Sequence, residues 1–240
     1  MVKIVPTPDW FIGKDVIIEV FSLIVLIIFT VIAYRYYKLN KNRNILYLGS
    51  GFGLIALAQL ATILTKLVLY YDIGPSQQIG QAIITSQIVN SVDFFYYAGF
   101  FFHRFLTLLG LYIIYRLPRD RKSIGDYAVV IYFILISSFF SMEIFYLFHL
   151  TALFILILIV EKFFLVYSEN RFFNTKILMV AFSILALSQL IFVLSTIDIL
   201  FVLGNVVELI SYTIFLALII RIWKYGKEKK PYGNNIRYAG

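Results

Sequence analysis

Eight polar side chains interrupt stretches otherwise built from isoleucine, leucine, phenylalanine and valine: Gln59, Lys66, His103, Arg104, His149, Gln189, Asn205 and Glu208. Polar groups at membrane depth are costly, turn toward the interior of a helix bundle and mark functional positions. Arg104 and Glu208 stand out among them. Each lies about ten residues into an apolar stretch that runs in the same direction, so at 1.5 Å per residue their depths match within a turn. Pairing would offset the cost of two buried charges, either as a static bridge between two helices or as part of a ligand site. Lys66 is the competing partner for Glu208. Gln59 and Gln189 are central in their stretches and suited to hydrogen-bond each other between helices.

His103 and His149 raise the question of a b-type haem. Their depths differ by roughly 8 Å along the helix axis, whereas the two axial ligands of one haem must face each other, so no haem is expected. No metal site is expected either, because too few carboxylates accompany the histidines. The chain has no cysteine, which removes disulfides, thiolate metal sites and thiol catalysis. The run Leu48-Gly49-Ser50-Gly51-Phe52-Gly53 is not a phosphate loop, because no strand precedes it and no Gly-Lys-Ser/Thr follows. No catalytic constellation is visible, and an enzyme is the weakest functional class. The glycines 49, 51 and 53 instead allow two helix backbones to approach closely.

The elements that must hold these residues follow from composition. The chain has 240 residues, of which 61% are hydrophobic and 14% charged, with a mean hydropathy of +0.89. Soluble domains run near 45–50% apolar and 25% charged, so most of this chain has lipid as its solvent. About 20 apolar residues in a helix cross the hydrocarbon. Seven windows meet or approach that length: 16–37, 45–71, 93–117, 125–142, 144–167, 176–196 and 198–224. The division within 125–167 rests on Ser141-Met142-Glu143 alone, and misreading it would leave six spans. All five prolines (6, 8, 75, 118 and 231) lie outside the windows, as helix terminators should. Residues 1–15 lack an apolar core and a cleavage site, so the first window reads as a span and not a removable signal. The expected fold is an all-α polytopic transmembrane helix bundle of about seven spans in one membrane domain.

Lysine and arginine orient such a bundle, because they collect in cytoplasmic loops. Seventeen of the 21 basic residues fall at one set of ends or in the tail, from Arg35 through Arg237, and only Lys3, Lys14 and Lys66 fall toward the other. That alternation requires an odd number of spans and puts the N-terminus outside and the C-terminus in the cytoplasm, in the cell membrane. Trp10, Trp223, Tyr34, Tyr36, Tyr37, Tyr70 and Tyr71 fall at the expected interfaces. The net charge of +8 is explained by this placement and does not point to nucleic acid. The basic tail, 225–240, would attract anionic lipid headgroups.

A shift of 130 residues lays GFGLIALAQL (51–60) over AFSILALSQL (181–190) without a gap. It matches Tyr37 with Tyr167, Asn40 with Asn170, Phe52 with Phe182 and Gln59 with Gln189. The expected organisation is a 3+1+3 parallel repeat: 16–117, a linker span at 125–142, and 144–224. Residues 72–92 then form a long outer loop, with a short amphipathic helix at 79–89 that caps the bundle or dips into it as a lid. The layout is similar to that of microbial rhodopsins and SWEET-type sugar transporters. However, the last span has no lysine before Lys224 and no span contains proline, so neither family is assigned. A non-catalytic membrane subunit or scaffold, acting with protein partners, is the leading functional expectation. A small transporter or permeation module with a site between the repeats is the alternative, and a sensor acting through a partner follows.

Overall fold

A backbone in hydrocarbon has no water to bond with and must satisfy its own N–H and C=O groups, which an α-helix does within one segment. The computed structural model describes the backbone over residues 8–41, 43–72, 83–116, 124–141, 143–195 and 197–228. Side chains are described over the same stretches except 9, 40, 69–72, 83–95, 124–128, 223 and 225–228. After a short 3₁₀ turn at Asp9–Phe11, seven α-helices follow: α1 (Lys14–Asn40), α2 (Arg43–Asp72), α3 (Ile83–Tyr115), α4 (Ile124–Phe140), α5 (Phe145–Asn170), α6 (Phe173–Val193) and α7 (Asp198–Glu228). Six of them, all but α4, are long and apolar enough to cross a membrane. Their outward faces carry large apolar side chains such as Ile17, Leu64 and Phe154, each more than half exposed, as lipid-facing positions should be.

The six long helices close into a ring. The neighbours are α1–α2, α2–α3, α3–α5, α5–α6, α6–α7 and α7–α1, and α4 packs outside the ring against α3 and α5. Contacts at different levels set the directions. The His103 ring meets Phe148 at 5.7 Å, and Lys162 Nζ donates to the Tyr115 carbonyl at 2.7 Å, so α3 and α5 run parallel. Glu19 faces Glu208 and Phe29 faces Phe215, so α1 and α7 run parallel too. Two parallel neighbours in the ring require a return segment, and α4 supplies it. At 17 residues α4 measures about 25 Å. This is shorter than the other six helices, which separates it from them and accounts for the difference between seven expected spans and six long helices.

The expected boundaries hold to within a few residues except at the outer loop. There α2 runs to Asp72 and α3 already begins at Ile83. Residues 83–92 therefore continue into a spanning helix and do not form a separate amphipathic segment. The remainder of that loop, 73–82, lies outside the described residues. The tail is also shorter than expected, because α7 continues to Glu228.

Two pairs of positions 130 residues apart share local geometry. Lys41 and Arg171 both take the left-handed conformation after their helices, with φ 53° and 51°. Each donates its N–H at 2.8 Å to the carbonyl of the tyrosine four residues earlier, Tyr37 or Tyr167, and each stands over that tyrosine's ring. Phe52 and Phe182 are both fully buried and stack at 5.9 Å, with an interplanar angle of 12°. Their rings meet Phe29, Phe163 and Phe215 in one aromatic cluster.

Close packing of α2 on α3 rests on glycine. A Cβ on Gly51 would come within 2.8 Å of the Gly110 carbonyl oxygen, which is backbone and cannot swing away. At Gly53 the nearest atom is a Thr30 methyl at 3.3 Å. Overpacking of this kind typically costs about 1–3 kcal/mol. Gly51→Ala should lower stability by that amount in a denaturation titration of the purified protein in detergent, and Gly53→Ala should cost visibly less.

Candidate functional site

All eight polar residues that interrupt the apolar stretches line one cavity inside the ring, of about 140 Å³, with walls from all six ring helices. This convergence follows from ridge-and-groove packing of helices whose outward faces must be apolar. The few polar positions can only turn to the centre. Gln59 and Lys66 come from α2, His103 and Arg104 from α3, His149 from α5, Gln189 from α6, and Asn205 and Glu208 from α7.

Their pairing differs from the expectation. Lys66 is the centre of the charged cluster. It lies 2.6 Å from Asp15 Oδ2 and 2.5 Å from Glu19 Oε1, both on α1. Asp15 is fully buried, and its other oxygen, Oδ1, accepts the backbone N–H groups of Gly13 and Val16 at 3.0 and 2.9 Å. One carboxylate thus caps the start of α1 and binds the cation of α2. Lys66 is therefore not the partner of Glu208.

Arg104 and Glu208 do not pair with each other either. Arg104 donates from NH1 to Ser141 Oγ at 3.2 Å, at the end of α4. Glu208 stands beside Tyr212 and Glu19. The reason is lateral. Depth along the membrane normal matches, but α3 has α2 and α5 as ring neighbours while α7 has α6 and α1. The two side chains belong to different walls of the same cavity.

Each imidazole has a partner for Nδ1: the Ala58 carbonyl at 3.2 Å for His103 and Gln189 Oε1 at 2.8 Å for His149. Gln189 is therefore committed to His149 and not to Gln59, which instead sits next to Tyr212. Asn205 donates to the Phe201 carbonyl within its own helix at 2.8 Å. Among the described residues, no three histidine, aspartate or glutamate side chains converge as a metal-ligand set.

Two features escaped the sequence reading. Asp15 and Glu19 are spaced four apart and so share a helix face. They fall at the depth expected of Lys66, and that spacing was the available signal. The aromatic cluster of Phe29, Phe52, Phe163, Phe182 and Phe215 gave no signal in a chain with 24 phenylalanines. It sits seven residues below Gln59 and Gln189 along α2 and α6, about 10 Å toward the basic end of the bundle, and fills the ring beyond the residues that line the cavity. No family model, curated protein or solved structure matches this chain, so the functional reading rests on the site itself.

Removing Lys66 would leave two buried carboxylates facing each other without their cation, a change that costs about 3–5 kcal/mol in comparable pairs. Lys66→Met should therefore destabilise the protein by that order in a detergent melt. Asp15→Asn with Glu19→Gln added in the same chain should recover much of the loss. A Lys66→Met protein as stable as the parent would show that the cluster is solvated and not structural.

Proposed function

We propose that this integral membrane protein is a solute-binding module of the small-transporter kind, with its site in the cavity at the centre of the six-helix ring. The observation that carries the reading is the convergence of eight polar side chains from five helices, with Glu19 from a sixth, on one cavity. A scaffold subunit has no need of such a space, and close packing would fill it. Polar groups are few in the chain, which weighs against transport; their gathering at one place weighs for it.

The arrangement of the ring supports a mechanism. We take α1–α3 and α5–α7 as two like halves, joined by α4 as a seventh crossing. Parallel repeats about an axis along the membrane normal are a recurring transporter plan, with the site at their interface near the midplane. Contacts within each half are extensive, whereas the two seams between halves, α3–α5 and α7–α1, are slighter. The phenylalanine cluster draws Phe29 and Phe52 from one half and Phe163, Phe182 and Phe215 from the other, so it lies across the boundary that a rocking motion would open. With the basic helix ends in the cytoplasm, the cavity belongs to the outer half of the membrane and the aromatic floor to the inner half.

The absence of cysteine makes a direct test available. Single cysteines are introduced in proteoliposomes and challenged from either side with a small membrane-impermeant methanethiosulfonate. Glu143→Cys should react from outside and Ser168→Cys from inside. Asn205→Cys, in the cavity, should react from outside, and Phe215→Cys, in the floor, should resist. An Asn205→Cys that is inert from both sides would mean a sealed interior and would return the protein to the scaffold class. Reversed labelling of Glu143→Cys and Ser168→Cys would overturn the orientation.

A further inference from the structure

The cavity is electrically lopsided, and the imbalance specifies a ligand class; the inference rests on the solute-binding reading above. On the α1, α2 and α7 side stand Glu19 and Glu208, with Gln59 and Tyr212 between them. On the α5 and α6 side the corresponding pair is neutral. The 130-residue shift that relates Gln59 to Gln189 also places His149 where Glu19 stands, and His149 and Gln189 bond to each other at 2.8 Å. The carboxylates Glu19 and Glu208 thus meet where α1 and α7 adjoin, and the His149–Gln189 side has no carboxylate in the lining.

The acidic side has more carboxylates than cations. Lys66 is shared by Asp15 and Glu19, which leaves that cluster one negative charge in excess. Glu19 reaches Lys66 through Oε1 only. Its second oxygen, Oε2, is buried and has no hydrogen-bond partner. Glu208 adds a further carboxylate near enough to Glu19 for their charges to repel, and no described cation pairs with it. A buried carboxylate without a positive partner is strongly disfavoured in low dielectric. The second orphaned buried atom among the described residues, Thr107 Oγ1, lines the same cavity. Both residues that carry an unsatisfied buried oxygen thus line one space, where a small side-chain rotation would let a polar guest complete them.

The rest of the wall is apolar, with aliphatic residues such as Ile18 and Leu156 and the phenylalanines Phe100, Phe148, Phe192 and Phe201 beside the polar groups. Aromatic faces attract ammonium groups and shelter short carbon chains. An apolar cavity of about 150 Å³ holds one benzene-sized molecule, and this one is of the same scale at about 140 Å³.

We infer that the cavity binds a small monovalent organic cation, an ammonium with a body of a few carbons, its nitrogen between Glu19 and Glu208 and its carbons against the phenylalanine wall. The ammonium supplies the donors that Glu19 Oε2 lacks. A carboxylate at that position would meet the repulsion of both glutamates, with the Arg104 guanidinium on the α3 wall as its one attraction outside the Lys66 cluster, and a neutral alcohol would leave the charge of the glutamates uncompensated.

The test compares n-propylammonium, n-propanol and propionate, with sodium chloride as the ionic-strength control, on the full chain in detergent. Propylammonium at about a hundredfold excess over its Kd should raise the melting temperature by roughly 5–10 °C, and propanol, propionate and salt should not. It should also slow methanethiosulfonate labelling of Asn205→Cys. Both effects should vanish in Glu208→Gln. Glu19→Gln serves as the second variant, and labelling protection in the otherwise unaltered protein needs neither. Protection by propanol or propionate equal to that by propylammonium overturns the cation assignment and leaves the binding reading standing, as does full protection retained in both glutamine variants. No effect from any of the three solutes on melting or labelling overturns both.

Discussion

Lipid cannot solvate a charge or an unpaired backbone group, and the architecture of this protein follows from that constraint. It dictates helices, because only they satisfy their backbone within one segment. It also dictates that the faces of those helices differ: isoleucine, leucine and phenylalanine outward, and the few polar residues inward. With six long helices in a closed ring, inward has one meaning, and every such side chain is brought to the same space. The cluster of Lys66 with Asp15 and Glu19 is the sharpest expression of this. A lysine that could not reach water at its depth is matched by carboxylates from the neighbouring helix, one of which also caps that helix.

Along the membrane normal the interior has two layers. The one at the level of Gln59 and Gln189 is polar and hollow; the one toward the basic helix ends is a cluster of phenylalanines in edge and stacked contact. The division is natural where a site must be reached from one side and sealed from the other. Aromatic rings fill space well, hold their geometry and carry no group that demands a partner. Small residues make the ring tight enough to sustain this, as at the crossing of Gly51 and Gly110, where two helix backbones nearly touch.

Two pairs of positions 130 residues apart take like geometry in the same structure. Left-handed caps at Lys41 and Arg171 and the stacked pair Phe52 and Phe182 are backbone and packing features, which composition alone does not impose. The same shift sets Glu19, an ion-pair partner of Lys66, against His149, which bonds to Gln189.

The helices, their lengths and their polar residues were legible in the sequence, because hydropathy and span length are local properties and lipid enforces them segment by segment. The break at Ser141-Met142-Glu143, which rests on three residues, was legible for the same reason, and so were the glycines that permit close approach. Partners were not legible. Arg104 and Glu208 share a depth, and depth can be counted along a chain, but the order of helices around a ring cannot. That order, set by packing, gave Lys66 to Asp15 and Glu19, His149 to Gln189, and Arg104 to Ser141. The sequence by itself determined which residues had to face inward; only the tertiary structure decided which of them would meet, since lateral neighbours are chosen by the fit of whole helix surfaces and not by any one residue's distance from the membrane edge.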